Sequence, residues 1–264
     1  MAPRRGLAGF GGTELPAPLA VLADQPGRSG VYTDFDGTLA AIVDNPDAAR
    51  PLDGAAEALG ALADRYARVG VISGRPVRFL LEHVAAPGVD LWGEYGLERV
   101  IDGDIRAADG APQWREAVEV VAARASAAGV AERVERKSLS VTLHWRADPG
   151  REAAVRAWAA GEAARAGLEV LAARQAVELR PPLQRDKGTA LAEAAAGLGA
   201  VCFLGDDRGD LAAFDALDRL AAGGVHVTRI AVHSSEMPEE LERRADIVVD
   251  GPQGALDLLN ALLV

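Results

Sequence analysis

Residues 31–38 read Val31-Tyr32-Thr33-Asp34-Phe35-Asp36-Gly37-Thr38, a short β-rich run that stops at an Asp-Gly turn signal. From Leu52 onward the apolar residues recur at spacings of three and four, which indicates a helix. The apolar run at 69–72 then predicts a second buried strand, and a further helix is expected after Pro76. Strand, helix, strand and helix in this order predict a parallel sheet with right-handed crossovers.

The same alternation of helices and strands returns towards the C-terminal end of the chain. Residues 187–198 are Ala-rich and helical, and the apolar run at 201–204 is typical of a strand buried on both faces. Four further elements complete the pattern: helices over 211–220 and 254–263, and strands over 226–232 and 247–249. Both ends of the chain are therefore predicted to share one α/β core with a Rossmann-like parallel sheet.

Between residues 104 and 180 the pattern changes to strict alternation. Apolar and polar residues alternate over 139–146, and residues 176–180 repeat this design. Such alternation is typical of an antiparallel strand with one buried face. We therefore predict a flexible leader over 1–28, a core formed by 29–103 together with 181–264, and a small α+β domain inserted over 104–180.

The composition limits the kinds of partner that the 264-residue chain can bind. Its formal charge of −11 repels polyanions, so neither nucleic acid nor an anionic membrane surface is expected as a partner. No window approaches the roughly 20 apolar residues of a membrane span. Cys202 is the only cysteine, which excludes an internal disulfide framework and fits a reducing compartment. We expect a cytoplasmic monomer.

Four polar motifs stand where the predicted strands end or where a helix begins. They are Asp34-Phe35-Asp36-Gly37-Thr38, Ser73-Gly74-Arg75, Asp186-Lys187-Gly188 and Gly205-Asp206-Asp207-Arg208-Gly209-Asp210. Ligands bind at the carboxyl edge of open parallel sheets, so these side chains are candidates for one site. Each motif also has a purely structural explanation: a turn for the first, helix caps at Ser73 and Asp186, and a solvated helix start at Asp210.

A cation is expected at this edge of the sheet. Asp206, Asp207 and Asp210 would join Asp34 and Asp36 there, and carboxylates that gather in this way repel one another unless a cation lies among them. Ligands that are all oxygen suit Mg²⁺. The opening of a helix disfavours a lysine, so the lysine of Asp-Lys-Gly is explained if an anion such as a phosphate group lies beside it.

The order of the four motifs resembles that of the haloacid-dehalogenase superfamily over residues 31–210. This resemblance implies that Asp34 is the nucleophile and also binds Mg²⁺. It implies that Asp36 is the general acid and base, with its backbone carbonyl on the metal, and that Asp206 is a further metal ligand. Asp207 and Asp210 would support these ligands. The phosphate-binding residues that it implies are Ser73, Gly74 and Lys187. The inserted α+β domain would be a cap of the C2 type.

The sequence of the inserted domain and its flanks indicates what kind of substrate the protein binds. Its alternating strands predict a sheet with one polar face, which suits a hydroxyl-rich sugar, although a solvent-facing sheet shows the same alternation. Residues 92–98, 135–146 and 178–188 resemble the corresponding stretches of the trehalose-6-phosphate phosphatase family. That resemblance covers nearly all of the chain after residue 28 and implies hydrolysis of trehalose 6-phosphate, the last step of trehalose biosynthesis. The candidate substrate contacts are Arg75, Glu98, Lys137, His144, Glu178 and Arg180.

Two departures from the family pattern keep alternatives open. The fourth motif continues as Gly209-Asp210-Leu211 where the family has Thr-Asp-Glu, and Tyr95 stands where the family often has histidine. These changes remove groups that support the metal or the lysine. One alternative is a phosphatase for another sugar phosphate, such as sucrose 6-phosphate or a glucosylglycerol phosphate. The other is a catalytically retired protein of the same fold that acts by binding.

Overall fold

The computed structural model describes residues 15–43, 45–101, 103–173, 175–235 and 237–264. The chain divides into two compact units, Met1–Gly103 with Arg185–Val264 and Asp104–Gln184. The first boundary lies where the sequence places it, whereas the second lies four residues after the expected one at 180. We describe each unit separately.

The described residues form the following strands: β1 (Ser29–Thr33), β2 (Arg68–Ile72), β3 (Val89–Gly93), β4 (Glu98–Ile101), β5 (Asp104–Ala107), β6 (Arg133–Arg136), β7 (Val141–His144), β8 (Glu169–Ala173), β9 (Ala176–Arg180), β10 (Ala200–Gly205), β11 (His226–His233) and β12 (Ile247–Asp250). The α-helices are α1 (Ala17–Asp24), α2 (Ala55–Arg65), α3 (Val77–His83), α4 (Arg115–Ala128), α5 (Glu152–Ala166), α6 (Lys187–Ala194), α7 (Leu211–Ala222), α8 (Glu239–Arg244) and α9 (Gly251–Ala261).

In the first unit the large sheet has the strand order β12-β11-β10-β1-β2-β3-β4. Neighbouring strands are parallel from β12 to β3, and β4 runs antiparallel to β3. Thr33 at the end of β1 pairs with Leu204 on one side and with Val71 on the other. The predicted α/β core with a parallel sheet is confirmed, and the residues that follow β1, β2 and β10 leave the sheet at one edge.

Two apolar layers cover the faces of this sheet. Successive residues of a strand point to opposite faces, so Val31 packs in one layer and Tyr32 in the other. The Val31 layer contains residues of α2 and α9, such as Leu59 and Leu258, whereas the Tyr32 layer contains residues of α6 and α7, such as Phe214. The Tyr32 layer holds α6 against the sheet and so fixes the first residue of that helix, Lys187.

The expected flexible leader over 1–28 is wrong for its second half. Helix α1 begins after Pro16, and its Leu19 and Leu22 are fully buried in the core layer that contains Val31. The Thr228 hydroxyl of β11 donates a hydrogen bond to the Pro18 carbonyl over 2.7 Å. Residues 1–14, the rest of the expected leader, lie outside the described residues.

The second unit is an α+β fold built on a separate antiparallel sheet of order β6-β7-β9-β8. The alternation in the sequence is visible in this sheet. Leu143 of β7 and Val177 of β9 pair with one another and pack in the same apolar cluster as residues of α4 and α5. Thr142 and Glu178 pair on the opposite face. No helix in the described part of the chain is long and apolar enough to cross a membrane.

Candidate active site

The site is organised around a buried ion pair between Asp34 and Lys187. Asp34 follows β1, and its backbone N–H continues the sheet by donating to the Leu204 carbonyl over 2.9 Å. Lys187 is the first residue of α6, and its ammonium lies 2.9 Å from Oδ2 of Asp34. Both side chains are almost completely buried. The structure therefore brings together the first and third sequence motifs at the carboxyl edge of the sheet.

Each residue of the motif Asp186-Lys187-Gly188 has a separate part in this arrangement. The Asp186 carboxylate accepts from the Thr189 N–H over 2.7 Å and caps α6. A Cβ on Gly188 would lie 2.2 Å from the Ala212 carbonyl oxygen, so only glycine allows α6 to approach α7 this closely. The cap and the close contact fix the backbone on both sides of the lysine.

Asp210 holds both the lysine and the loop of the fourth motif. Its Oδ1 accepts from the Lys187 ammonium over 2.7 Å, and its Oδ2 accepts from the backbone N–H groups of Asp206 and Asp207 over 2.9 and 3.0 Å. Gly205 leaves room for this carboxylate, since a Cβ there would lie 2.3 Å from its Cγ. Asp210 is completely buried. Asp207 lies beside it, with Oδ1 3.8 Å from the Lys187 ammonium.

The Asp206 carboxylate is held by two hydroxyl groups, one from the turn that follows β1 and one from the residue after β11. It accepts from the Thr38 hydroxyl over 3.3 Å and from the Ser234 hydroxyl over 2.8 Å. A Cβ on Gly37 would lie 2.1 Å from Oδ2 of Asp206, so the turn after Asp36 packs directly on this carboxylate. Ser234 was not among the residues predicted from the sequence. Its signal is its place, directly after β11 at the same edge of the sheet.

Asp36 is held by a bidentate contact with Arg75. Nε of Arg75 donates to Oδ2 of Asp36 over 2.7 Å, and Nη2 donates to Oδ1 over 2.6 Å. The Asp36 side chain is 40% exposed, whereas that of Arg75 is 10% exposed. The backbone N–H of Arg75 donates to the hydroxyl of buried Ser73 over 3.2 Å. The second motif therefore contacts the first, and Arg75, a candidate substrate contact, binds the proposed general acid.

A strained turn fixes the backbone of the second motif. Glu94 and Tyr95 have positive φ angles of 47° and 58°, which are uncommon for residues other than glycine. The Glu94 N–H donates to the Arg75 carbonyl over 2.9 Å, and the Tyr95 N–H donates to the Ser73 carbonyl over 3.0 Å. The Tyr95 ring lies so close to Gly74 that a Cβ there would be 2.7 Å from it. The turn at Glu94 and Tyr95 and the segment from Ser73 to Arg75 therefore hold one another in place at the sheet edge.

The electrostatics of the cluster are dominated by burial. Burial raises the pKa of the Asp34 carboxyl to about 7, although the Lys187 ammonium opposes this shift. Burial also raises the pKa of Asp206 to about 8, and the charges of Asp210 and Asp207 add to the shift. Burial acts to lower the pKa of Lys187, but the charges of Asp210, Asp34 and Asp207 hold that pKa well above its ordinary value. The cluster contains more carboxylates than its one lysine can neutralise.

The donor set fits a divalent cation. Asp34, Asp207 and Asp210 each offer one carboxylate oxygen, and these three oxygens lie within 4.8 Å of one another. Oxygen donors are those that Mg²⁺ prefers, and added positive charge would stabilise the buried carboxylates of Asp34 and Asp210, whose pKa values burial raises. The resemblance implies the Asp206 carboxylate and the Asp36 backbone carbonyl as further ligands beside Asp34. In the structure the Asp206 carboxylate accepts from two hydroxyl groups, and the Asp36 carboxylate, a different group from the expected ligand at that residue, accepts from Arg75.

Glu98 lies in the same unit as this cluster. It is buried, and its Oε2 accepts from the Val77 N–H, the first residue of α3, over 3.3 Å. This contact connects β4 to the helix that follows the second motif. The structure thus places Glu98 against the start of α3.

Three of the other candidate substrate contacts form ion pairs in the second unit. The Lys137 ammonium lies 3.2 Å from Oε1 of Glu178, and the Ser140 hydroxyl donates to that same oxygen. Two residues further along β9, Nε of Arg180 lies 3.4 Å from Oε1 of Glu169. Of these side chains, Ser140, Glu178 and Arg180 belong to the polar face predicted from the alternation.

His144, the last candidate contact, pairs with an acid on the neighbouring strand. Its Nε2 lies 2.9 Å from Oε2 of Glu135. Between His144 and the Lys137 pair, the buried hydroxyl of Thr142 has no hydrogen-bond partner among the described residues. The polar face of the second unit is therefore well supplied with donors and acceptors.

The fold and the site together define the class of protein. A solved phosphatase of the haloalkanoate (HAD) enzyme superfamily, from Bacteroides thetaiotaomicron, matches with a TM-score of 0.54 at 16% identity, over 98% of this chain and 97% of its own. The C-terminal domain of Candida albicans trehalose-6-phosphate phosphatase matches with a TM-score of 0.73 at 23% identity, over 96% of this chain and 98% of its own. The chain has the fold of the HAD phosphatases.

Sequence comparison identifies the family within this class. The trehalose-phosphatase family model matches residues 32–246. A trehalose-phosphate phosphatase of Mycobacterium leprae is 34% identical over 247 residues, which are 81% of this chain and 54% of that relative. The chain belongs to the trehalose-phosphatase family, and it spans about half the length of this curated relative.

Proposed function

We propose that the chain hydrolyses trehalose 6-phosphate to trehalose and phosphate through an aspartyl phosphate on Asp34. The observation that carries this proposal is the contact of 2.9 Å between Asp34 and the Lys187 ammonium inside a cluster of buried carboxylates. A carboxylate that attacks a phosphoryl group needs positive charge beside it, because the incoming phosphate is itself an anion. Family membership adds the sugar: the relative from M. leprae is a trehalose-phosphate phosphatase.

In the first half of the reaction Asp34 attacks phosphorus and the sugar oxygen leaves. An alkoxide is a poor leaving group, so a proton must be supplied as the P–O bond breaks. Asp36 stands two residues beyond the nucleophile with a partly exposed carboxyl, which suits it to give this proton. The Lys187 ammonium and the Ser73 hydroxyl are the groups in this cluster that suit the phosphoryl oxygens.

In the second half a water molecule attacks the aspartyl phosphate. Asp36, now a carboxylate, takes a proton from that water and returns to its starting form, while phosphate leaves Asp34. Splitting one difficult hydrolysis into two transfers lowers the barrier of each. The bidentate contact with Arg75 suits this half, because it stabilises Asp36 as a carboxylate.

Mg²⁺ is the cofactor that we propose, with the Asp34 and Asp206 carboxylates and the Asp36 backbone carbonyl as the groups that would hold it, and with Asp207 and Asp210 as supporting carboxylates close to Asp34. When bound, Mg²⁺ offsets the charge on the phosphoryl oxygens and on the surrounding carboxylates. For the sugar we propose contacts from the second unit, whose polar face carries Lys137, Glu178, Arg180 and His144, together with Glu98. Two glucose rings offer many hydroxyl groups, and these side chains supply both donors and acceptors.

Release of inorganic phosphate from a panel of sugar phosphates tests the proposal. Trehalose 6-phosphate should be preferred over sucrose 6-phosphate, glucosylglycerol phosphate and glucose 6-phosphate, and chelation should stop release until Mg²⁺ is added back. Asp34→Asn should reduce release to background, whereas Asp24→Asn, at the exposed end of α1, should leave it at the parent level. Preference for a monosaccharide phosphate would defeat the assignment of the sugar, and an active Asp34→Asn protein would defeat the mechanism.

A further inference from the structure

A column of stacked side chains leads from α3 to Asp36. The His83 and Phe79 rings are stacked with centroids 4.3 Å apart and an interplanar angle of 15°. The guanidinium carbon of Arg75 also lies over the Phe79 ring, 4.5 Å from its centroid. The same guanidinium group donates to both carboxylate oxygens of Asp36. Contacts therefore run without a break from His83 through Phe79 and Arg75 to Asp36.

Phe79 also contacts the backbone turn that carries Asp36. Its ring meets the Phe35 ring edge to face, with centroids 5.3 Å apart and an interplanar angle of 86°. Phe35 is fully buried and lies between the nucleophile and Asp36 in the chain. Phe79 thus supports Asp36 by two routes, one through the Arg75 side chain and one through the chain itself.

The physical character of these contacts favours a fixed geometry. A guanidinium over an aromatic face is attracted by the ring, and its planar fork matches a carboxylate in only one orientation. The Arg75 backbone is also held, since its carbonyl accepts from the Glu94 N–H over 2.9 Å. With both the backbone and the ring fixed, the guanidinium can present its two donors in few other directions. The Asp36 carboxyl is consequently oriented by Arg75, which the Phe79 ring holds in turn.

We propose that Phe79 is a positioning residue, which holds the Arg75 fork and the Phe35 turn so that Asp36 faces the leaving oxygen of the substrate. This inference rests on the proposed function. Asp36 gives its proton to the sugar oxygen as the P–O bond breaks, and Arg75 stabilises the carboxylate that remains. The proton is recovered from the water that later attacks the phosphorylated Asp34. Loss of the ring would leave the nucleophile, the lysine and the phosphate site in place but would let Asp36 turn away.

Leaving-group dependence distinguishes positioning of Asp36 from a general structural role. An alkyl phosphate such as the sugar substrate needs the proton, whereas p-nitrophenyl phosphate releases a stable phenolate and needs it little. For Phe79→Leu we expect kcat/KM for the alkyl phosphate to fall about tenfold and kcat/KM for the aryl phosphate to fall less than about twofold. The tenfold loss is smaller than the full contribution of a general acid, because Asp36 is misplaced but still present. Arg75→Lys keeps the positive charge but loses the fork, and should show a larger loss with the same selectivity.

Leu80→Ala is the matched control, because Leu80 is buried on the same helix but packs in the core. It should lower stability and change both substrates in the same proportion. Thermal unfolding shows that each variant is folded under the assay conditions. Equal losses on both substrates for folded Phe79→Leu and Arg75→Lys would overturn the inference alone. A parent protein that hydrolyses no phosphate monoester would overturn the proposed function, and this inference with it.

Discussion

The Ser234 hydroxyl donates a hydrogen bond of 2.8 Å to the Asp206 carboxylate from the end of the neighbouring strand. The two residues follow β11 and β10, which are adjacent and parallel, so the sheet itself sets the distance between them. Together with Thr38 this contact orients a buried carboxylate that has a raised pKa. A hydroxyl in this position supports the acidic cluster without belonging to any of the four sequence motifs.

Replacement of Ser234 by alanine should weaken the response to Mg²⁺. Partners that orient the carboxylates of a metal site typically contribute about 10- to 100-fold in metal affinity or activity. We therefore expect the Mg²⁺ concentration for half-maximal phosphate release to rise about tenfold in Ser234→Ala. Ser235→Ala, at the exposed next position, is the control. An unchanged Mg²⁺ dependence in Ser234→Ala would show that Asp206 needs no such support.

Asp210→Asn should damage both stability and activity, although it keeps the shape of the side chain. The carboxylate binds the buried lysine and two backbone N–H groups, and a neutral amide cannot satisfy all three donors. Loss of a buried hydrogen bond to a charged group costs about 2–3 kcal/mol, so the urea midpoint should fall accordingly. Asp215→Asn on the exposed side of α7 is the control, with a cost of about 0–1 kcal/mol from its surface pair with Arg244.

Gly37→Ala and Gly54→Ala form a pair that separates backbone strain from collision. Both glycines have positive φ angles, 74° and 89°, so each alanine carries the conformational cost of about 1 kcal/mol. A Cβ on Gly54 meets nothing within 4 Å, whereas one on Gly37 would lie 2.1 Å from Asp206. Urea unfolding and phosphate release should therefore show a small stability loss for Gly54→Ala. For Gly37→Ala the same two measurements should show a larger loss of stability together with a loss of activity. Equal behaviour of the two variants would contradict the close packing of this turn.

Helix α1 should contribute measurably to the stability of the core. Leu19 and Leu22 are fully buried, and replacing either by alanine should lower the free energy of unfolding by about 2–5 kcal/mol. The control is Leu81→Ala, since the Leu81 side chain is 38% exposed and little apolar area is lost. Chemical denaturation monitored by circular dichroism gives both values. Similar midpoints for the three variants would mean that α1 does not belong to the folded core.

Much of the fold and the centre of the site were predictable because they depend on local sequence. Continuously apolar runs predicted the central strands. Because parallel strands end at one edge of a sheet, the sequence also predicted that Asp34 and Lys187 lie close together. The second unit followed from strict alternation. The strand ends that carry polar residues are thus the part of the site that sequence periodicity can locate.

The features that the sequence did not predict all depend on contacts between distant residues. Two prolines near Ala17 made the sequence of α1 unlike that of a helix. The helix is buried because it packs against β11, which is distant in the chain. The partner of Arg75 is 39 positions away, and no periodicity relates it to Asp36. Which carboxylates converge on one point depends on side-chain directions after the strand, which sequence periodicity does not determine.

The order of the strands along the chain has a consequence for biosynthesis. β1 pairs with β10, so one edge of β1 has no partner strand until Leu204, which pairs with Thr33, has been translated. A nascent chain that has reached residue 184 contains the whole second unit but leaves one edge of β1 unpaired and open to solvent and to other chains. Late translation of β10 therefore makes the first half of the core the segment most in need of a chaperone on the ribosome.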